Sequence, residues 1–316
     1  MKKKLTILFL ALVMAVLAAC GNTSTSSNAS DDKAKAAEEI TVKHELGEAK
    51  VKANPKKVVV FDMGILDTLD KLGVEVAGVP QENLPEYLEK YKDSKYTNVG
   101  GLKEPDLEAI SELAPDVIFI SGRQSAAYED LSDIAPTVYV GVDSTKYMDS
   151  FKHNMELVGQ IFGKEDAVKE ELASIDDTIT ALNDKAKAVE GKSLVVLVND
   201  GSVSAYGSGS RFGIIHDVFG LAQADENIEA STHGQSISFE YIADKNPEYL
   251  FVVDRGAVVG GESSAAKVLD NELVNGTDAA KDGHIIYLNP GYWYLSGGGL
   301  VSTEEMAKEI EAGISK

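Results

Sequence analysis

The sequence predicts an α/β protein of two similar lobes, joined by one long rigid helix, with a ligand cleft between the lobes. Three observations predict it. Short β-branched runs alternate with helix-spaced apolar residues in both halves of the chain. Residues 150–190 read as helical, with few turn residues before Gly191. The block "DLEAISELAPDVIFISGR" (106–123) aligns without gaps on "SFEYIADKNPEYLFVVDR" (238–255).

The first elements concern location. "MKKK" is a positive n-region, and "LTILFLALVMAVLAA" is an apolar run too short to be a comfortable membrane span. Residues 1–19 read as a secretory leader ending at Cys20. That is the only cysteine in the chain, so it cannot form an internal disulfide. "LAAC" matches a bacterial lipobox, in which the cysteine sulfur is diacylated and becomes the mature N-terminus. Residues 20–39 are small, polar and without apolar period, as expected of a flexible tether on a lipid anchor. The protein is therefore expected outside the cytoplasm, held to the outer face of the cell membrane through Cys20.

Residues 40–149 form the first expected lobe. Val58 to Val60 is a buried strand, Ile65, Leu66, Leu69 and Leu72 give a helix stopped by Gly73, and Val74 to Val79 begins the next strand. In the following unit Asp106 caps a helix, Pro115 breaks it and Val117 to Ile120 is a strand. The connecting region, 150–190, carries Val168, Leu172, Ile175, Ile179 and Leu182 on one stripe. In the second lobe (191–316), "KSLVVLVNDGSVSAYG" reads as a hairpin turning at "NDG". "RFGIIHDVFG" reads as a helix, "FEYIADKNPEYLFVVDR" as helix then strand, and "HIIYLN" as a strand. A final helix has Ser302 and Glu305 spaced as a capping box.

Thirty basic side chains include only three arginines, Arg123, Arg211 and Arg255. Arg123 and Arg255 fall on the same offset of the internal repeat, each at the carboxyl end of a strand, where α/β sheets bind ligands. Arg211 precedes an expected helix at a strand-to-helix turn. Any one of them alone reads as a solvated surface residue; three at such positions point to one anionic ligand. A guanidinium keeps its charge, donates to paired oxygens and stacks on rings. Tyr128, Tyr206, Trp293 and Tyr294 are the aromatics expected at the cleft, although Trp293 fits a packing role equally well.

Several function classes drop out. The formal net charge of −21 leaves no basic stripe for nucleic acid. The five histidines show no metal-binding spacing, "YGSGSRFG" lacks the lysine of a P-loop, and there is no GxSxG elbow. No catalytic residue, resident cofactor or directly bound metal is expected.

The lipobox, the two lobes, the single connecting helix and the "DLEAI…L.PDVIF" block together resemble the iron-siderophore and cobalamin class of ABC-transporter substrate-binding proteins. Within it the chain looks most like the petrobactin-type ferric siderophore-binding lipoproteins of Gram-positive bacteria. The resemblance implies a class III periplasmic-binding-protein fold and a monomer. The expected ligand is an anionic ferric siderophore, catecholate or mixed catecholate and citrate, met by Arg123, Arg211 and Arg255. The siderophore itself holds the iron. The expected partners are an ABC permease and its ATPase. The resemblance also implies one permease-docking glutamate per lobe, and Glu108 and Glu240 match; an acid in a helix's first turn is equally favoured by the helix dipole. Ferric citrate, haem or cobalamin are the alternative ligands. A secreted enzyme on the same scaffold is the alternative class.

Overall fold

The computed structural model describes residues 39–315. The expected leader, Cys20 and the tether up to residue 38 lie outside the described residues.

Strands β1 (Glu39–His44) and β2 (Gly47–Lys52) form an antiparallel hairpin, to which the sequence reading assigned no strand. Its apolar face, Val42, Ala49 and Val51, is buried against the first lobe. That lobe follows as β3 (Val58–Val60), α1 (Met63–Lys71), β4 (Gly78–Val79), β5 (Thr97–Asn98), α2 (Leu107–Leu113), β6 (Val117–Ile120), α3 (Tyr128–Ile134) and β7 (Thr137–Tyr139). Its five strands are all parallel, in the order β5-β4-β3-β6-β7. The strand expected from Val74 shrinks to Gly78–Val79.

Helix α4 (Tyr147–Phe162) ends at Gly163, whose φ of 61° is left-handed and reverses the chain. Helix α5 (Glu165–Ala186) is the long connector, and its expected stripe, Val168, Leu172, Ile175, Ile179 and Leu182, is buried.

The second lobe contains β8 (Ser193–Asn199), β9 (Ser202–Tyr206), α6 (Ile214–Asp217), β10 (Gln235–Ile237), α7 (Phe239–Lys245) and β11 (Tyr249–Asp254). Four short helices follow, α8 (Gly256–Val259), α9 (Ala265–Leu269), α10 (Glu272–Asn275) and α11 (Asp278–Lys281), then β12 (Ile285–Leu288) and α12 (Leu300–Ile314). The sheet order is β10-β9-β8-β11-β12, with β9 antiparallel to both its neighbours.

The internal repeat is physical. Asp106 caps α2 by accepting from Ala109 N–H (3.0 Å), and Ser238 caps α7 by accepting from Tyr241 N–H (3.4 Å). Both helices end on a left-handed residue, Ala114 (φ 48°) and Asn246 (φ 38°), each followed by proline. The next residue is acidic in both copies. Asp116 accepts from Lys56 and Lys57 N–H (2.9 Å each), and Glu248 accepts from Lys192 N–H (2.8 Å). Each acid therefore pins the start of the neighbouring strand.

One apolar core runs through both lobes. It includes Val60 and Phe119 of the first, Phe151 and Ile175 between them, and Val195, Phe251 and Met306 of the second. Helix α12 seals the junction. Its N-terminal N–H groups are capped by α1 of the other lobe: Leu300 N–H donates to Thr68 Oγ1 (3.1 Å), Val301 N–H to Asp67 Oδ1 (3.3 Å) and Ser302 N–H to Asp67 Oδ2 (3.1 Å). The helix starts earlier than expected, so Ser302 is not the cap; its Oγ accepts from Gly299 N–H (3.1 Å). The close approach needs glycine on both sides. A Cβ on Gly299 would meet the Gly64 carbonyl at 2.3 Å, and one on Gly64 would meet Gly299 N at 2.8 Å.

Candidate functional site

A cleft of about 700 Å³ opens between the lobes. The parallel strands β3 and β6 end at its first wall, which presents Asp62, Lys103, Ser121, Arg123 and Tyr139. The opposite wall presents Arg211, Phe212, His233 and Tyr294. Arg123 lies in a 3₁₀ turn (Gly122–Ala127) directly after β6, held by a capping box of Ser121 and Gln124. Arg211 follows the turn Gly207–Ser210; the helix expected there is only the single turn α6, because Gly207–Gly213 is spent on reversing the chain. Arg255 follows β11 as the cap residue of α8.

The three arginines converge on one residue, Tyr294. It lies in a π-helical turn, Gly291–Leu295, closed by Ser296 N–H donating to the Gly291 carbonyl (3.1 Å). Such turns often mark functional sites. The Tyr294 carbonyl accepts from Arg123 Nη2 (2.7 Å) and from Arg211 Nη2 (2.6 Å). Its hydroxyl accepts from Arg255 Nε (2.8 Å). The Arg211 guanidinium also stands 4.3 Å from the Tyr294 ring centre, with Arg123 at 5.7 Å and Arg255 at 5.6 Å. Arg255 bonds Asn199 as well and sits behind Tyr294 rather than on the cleft wall.

The Arg211 charge is disfavoured where it sits. Burial, and then the like charge of Arg123, pull the Arg211 pKa below its ordinary value. Burial pushes the Tyr294 phenol up, but the Arg255 hydrogen bond and the three positive charges outweigh it, so the net shift is downward. Among the described residues, the two guanidinium groups share one carbonyl oxygen and most of their other donors have no partner. An oxyanion entering the cleft would take those donors and neutralise the pair.

The other expected site residues sort plainly. Trp293 is only 2% exposed, donates from Nε1 to Glu309 (2.8 Å) and packs edge-on against Phe212 and Phe219; it touches the cleft by an edge. Tyr206 is buried behind the wall, its hydroxyl donating to the His233 carbonyl (2.9 Å), so it supports the cleft without lining it. Tyr128 is not at the cleft. It opens α3 and packs edge-on against His44 of the hairpin, 5.5 Å between ring centres, because the 3₁₀ turn that holds Arg123 carries the chain away. Glu108 and Glu240 are exposed, each the second residue of its helix, one on each lobe.

Sequence reasoning missed Lys103, Asp62, Tyr139 and His233. Lys103 lies in the tight turn after Gly100 (φ 97°), but nothing in its type separates it from the other lysines. Asp62 is the N-cap of α1, a role that accounts for an aspartate at that position without a ligand.

A family model described as periplasmic binding protein matches residues 58–292. The chain belongs to this family. It is 56% identical to the petrobactin-binding protein YclQ of Bacillus subtilis (strain 168), over 99% of this chain and 100% of that one. The crystal structure of YclQ superposes on this periplasmic binding protein with a TM-score of 0.87, covering 88% of this chain and 99% of the other. The siderophore-binding protein BauB, solved with two acinetobactin molecules and ferric iron, matches at 33% identity and a TM-score of 0.81, covering 88% and 99%. The expected class of fold and family is thereby established.

Proposed function

We propose that this protein captures an anionic ferric siderophore in the inter-lobe cleft and hands it to an ABC permease, without chemistry of its own. The observation that carries the reading is the meeting of Arg123 and Arg211 on the Tyr294 carbonyl, with Arg255 on the same residue's hydroxyl. Such a cluster binds spread negative charge, as on a ferric catecholate centre, and the low-dielectric walls strengthen the pairing. The relatives named for petrobactin and for ferric acinetobactin support the same ligand class. The continuous core and the α12 clamp favour small lobe motions over wide closure. In this reading Cys20 carries the lipid that keeps the protein at the outer face of the membrane.

Titrating ferric complexes into the purified domain while following Trp293 emission tests the ligand class. Because the chain has a single tryptophan, the signal has one source. Saturable quenching by a ferric catecholate, with little response to ferric hydroxamate, ferric citrate, haem or cobalamin, is the expected result. Quenching by none of them, or by haem or cobalamin alone, would overturn the reading.

Glu108 and Glu240 are the proposed permease contacts, each meeting a basic group of the partner. Reversing both charges (Glu108→Lys with Glu240→Lys) is expected to abolish iron uptake by cells and leave the binding titration unchanged. Loss of ligand binding in the double variant would remove the assignment.

A further inference from the structure

Two side chains of the first lobe reach across to main-chain carbonyls of the second. Asn83 Nδ2 donates to the Val258 carbonyl (3.0 Å), and Ser144 Oγ donates to the Gly209 carbonyl (3.0 Å). The two bonds flank the strand ends that face the cleft. Asn83 follows β4 and Ser144 follows β7, which lie on either side of β3 and β6 in the first sheet. Val258 follows β11 and Gly209 follows β9, which lie on either side of β8 in the second. Each acceptor also belongs to a turn that carries an arginine. Gly209 is two residues before Arg211. Val258 donates its own N–H to the Arg255 carbonyl (3.2 Å) within the single turn of α8.

Both donors are held from behind. Gln81, on the same loop as Asn83, donates from Nε2 to the Tyr91 carbonyl (3.0 Å). Asp143 fixes the 3₁₀ turn that begins at Ser144 by accepting from Thr145 N–H (2.9 Å). Asn83 has a left-handed backbone (φ 57°), which asparagine tolerates and glycine would suit better. The backbone alone therefore does not call for asparagine.

We infer that Asn83 and Ser144 are positioning residues: they clasp the lobes on either side of the cleft and fix the turns of Arg255 and Arg211 against the first lobe. The clasp presets the lobe spacing, so that less ordering is left to the binding step. This rests on the reading above, in which the arginines gathered at Tyr294 hold a bound anion.

Stopped-flow measurement of Trp293 emission gives the dissociation rate of a ferric bis-catecholate from wild type, Asn83→Gly, Ser144→Ala and the double variant. Each single variant is expected to raise that rate by about 3- to 10-fold, the size of one neutral hydrogen bond, and the double variant to raise it further. Asn83→Gly keeps the left-handed turn and removes only the amide, and Ser144→Thr, which keeps the hydroxyl, is expected to stay near wild type. A second measurement needs no ligand. Spin labels on Glu112→Cys and Asp244→Cys, exposed positions of α2 and α7, report the lobe separation in the full chain carrying Cys20→Ser. The double variant is expected to broaden that distance distribution. Unchanged dissociation from the double variant, faster dissociation that Ser144→Thr shares with Ser144→Ala, or an unchanged distance distribution overturns the proposal. Failure of wild type to bind the ferric complex strikes instead at the siderophore reading, and the label distances then decide the clasp alone.

Discussion

Asp67→Ala is expected to destabilise the folded protein by about 3–5 kcal/mol, read as a lower midpoint in urea unfolding. A helix cap is worth about 1–2 kcal/mol, and each buried donor left without an acceptor costs about 1–3 kcal/mol more. Asp67 caps α12 across the lobe junction with both oxygens and also accepts from the Tyr87 hydroxyl (3.0 Å). The isosteric Asp67→Asn separates packing from charge. Burial raises the Asp67 pKa to about 7, although Ser302, Tyr87 and Val301 donate to it. A carboxyl whose pKa is raised on folding contributes stability that is fully present below its unfolded value. That stability is lost as pH rises through the folded value. The stability gap between wild type and Asp67→Asn should therefore be widest near pH 4 and shrink towards pH 8, by an amount on the order of 4 kcal/mol. A gap independent of pH would mean that Asp67 does not titrate on folding.

The clamp matters for the cleft because of chain connectivity. Tyr294 is six residues before the start of α12, and Ser296 to Gly299 link the two. Fixing the N-terminus of α12 on α1 therefore fixes the carbonyl on which Arg123 and Arg211 meet. Loosening the clamp should blur the site as well as weaken the fold.

Much of this was legible in the sequence, for local reasons. Asp106 and Ser238 before apolar periodicity, and Pro115 and Pro247 after it, mark helix ends wherever they occur. The arginines stood out because lysine serves everywhere else. The missing parts depend on contacts between residues far apart in the chain. Asp67 looks like an ordinary polar helix residue until α12, 235 residues later, arrives above it. Tyr128 was placed by its nearness in sequence to Arg123, which a single 3₁₀ turn undoes. The hairpin of β1 and β2 did leave a signal, since Val42, Ala49 and Val51 are set among charged residues with the period of a strand. The helix expected after Arg211 failed because its glycines and serines satisfy a turn first, Ser210 Oγ donating to the Gly207 carbonyl three residues back, the backbone reversal that propensity alone does not reveal.

Arg211→Ala should weaken binding of the ferric complex by about 1.5–3 kcal/mol, roughly 10- to 150-fold in Kd. It is the most informative of the three arginines, since its guanidinium both donates to the Tyr294 carbonyl and lies nearest that residue's ring. It also sits against the like charge of Arg123. Removing it should therefore leave the ligand-free protein no less stable, and even raise its unfolding midpoint, while affinity falls. Groups kept for function at a cost to stability show this opposite movement. Arg211→Lys should recover only part of the loss, because an ammonium replaces the charge but not the paired, planar donors. The wild-type affinity should also fall with added salt more steeply than that of the alanine variant, as one fewer charge is left to screen. If Arg211→Ala instead unfolds the protein and binds as tightly as wild type where folded, the guanidinium is a structural brace for Tyr294, and the anion must be held elsewhere on the wall.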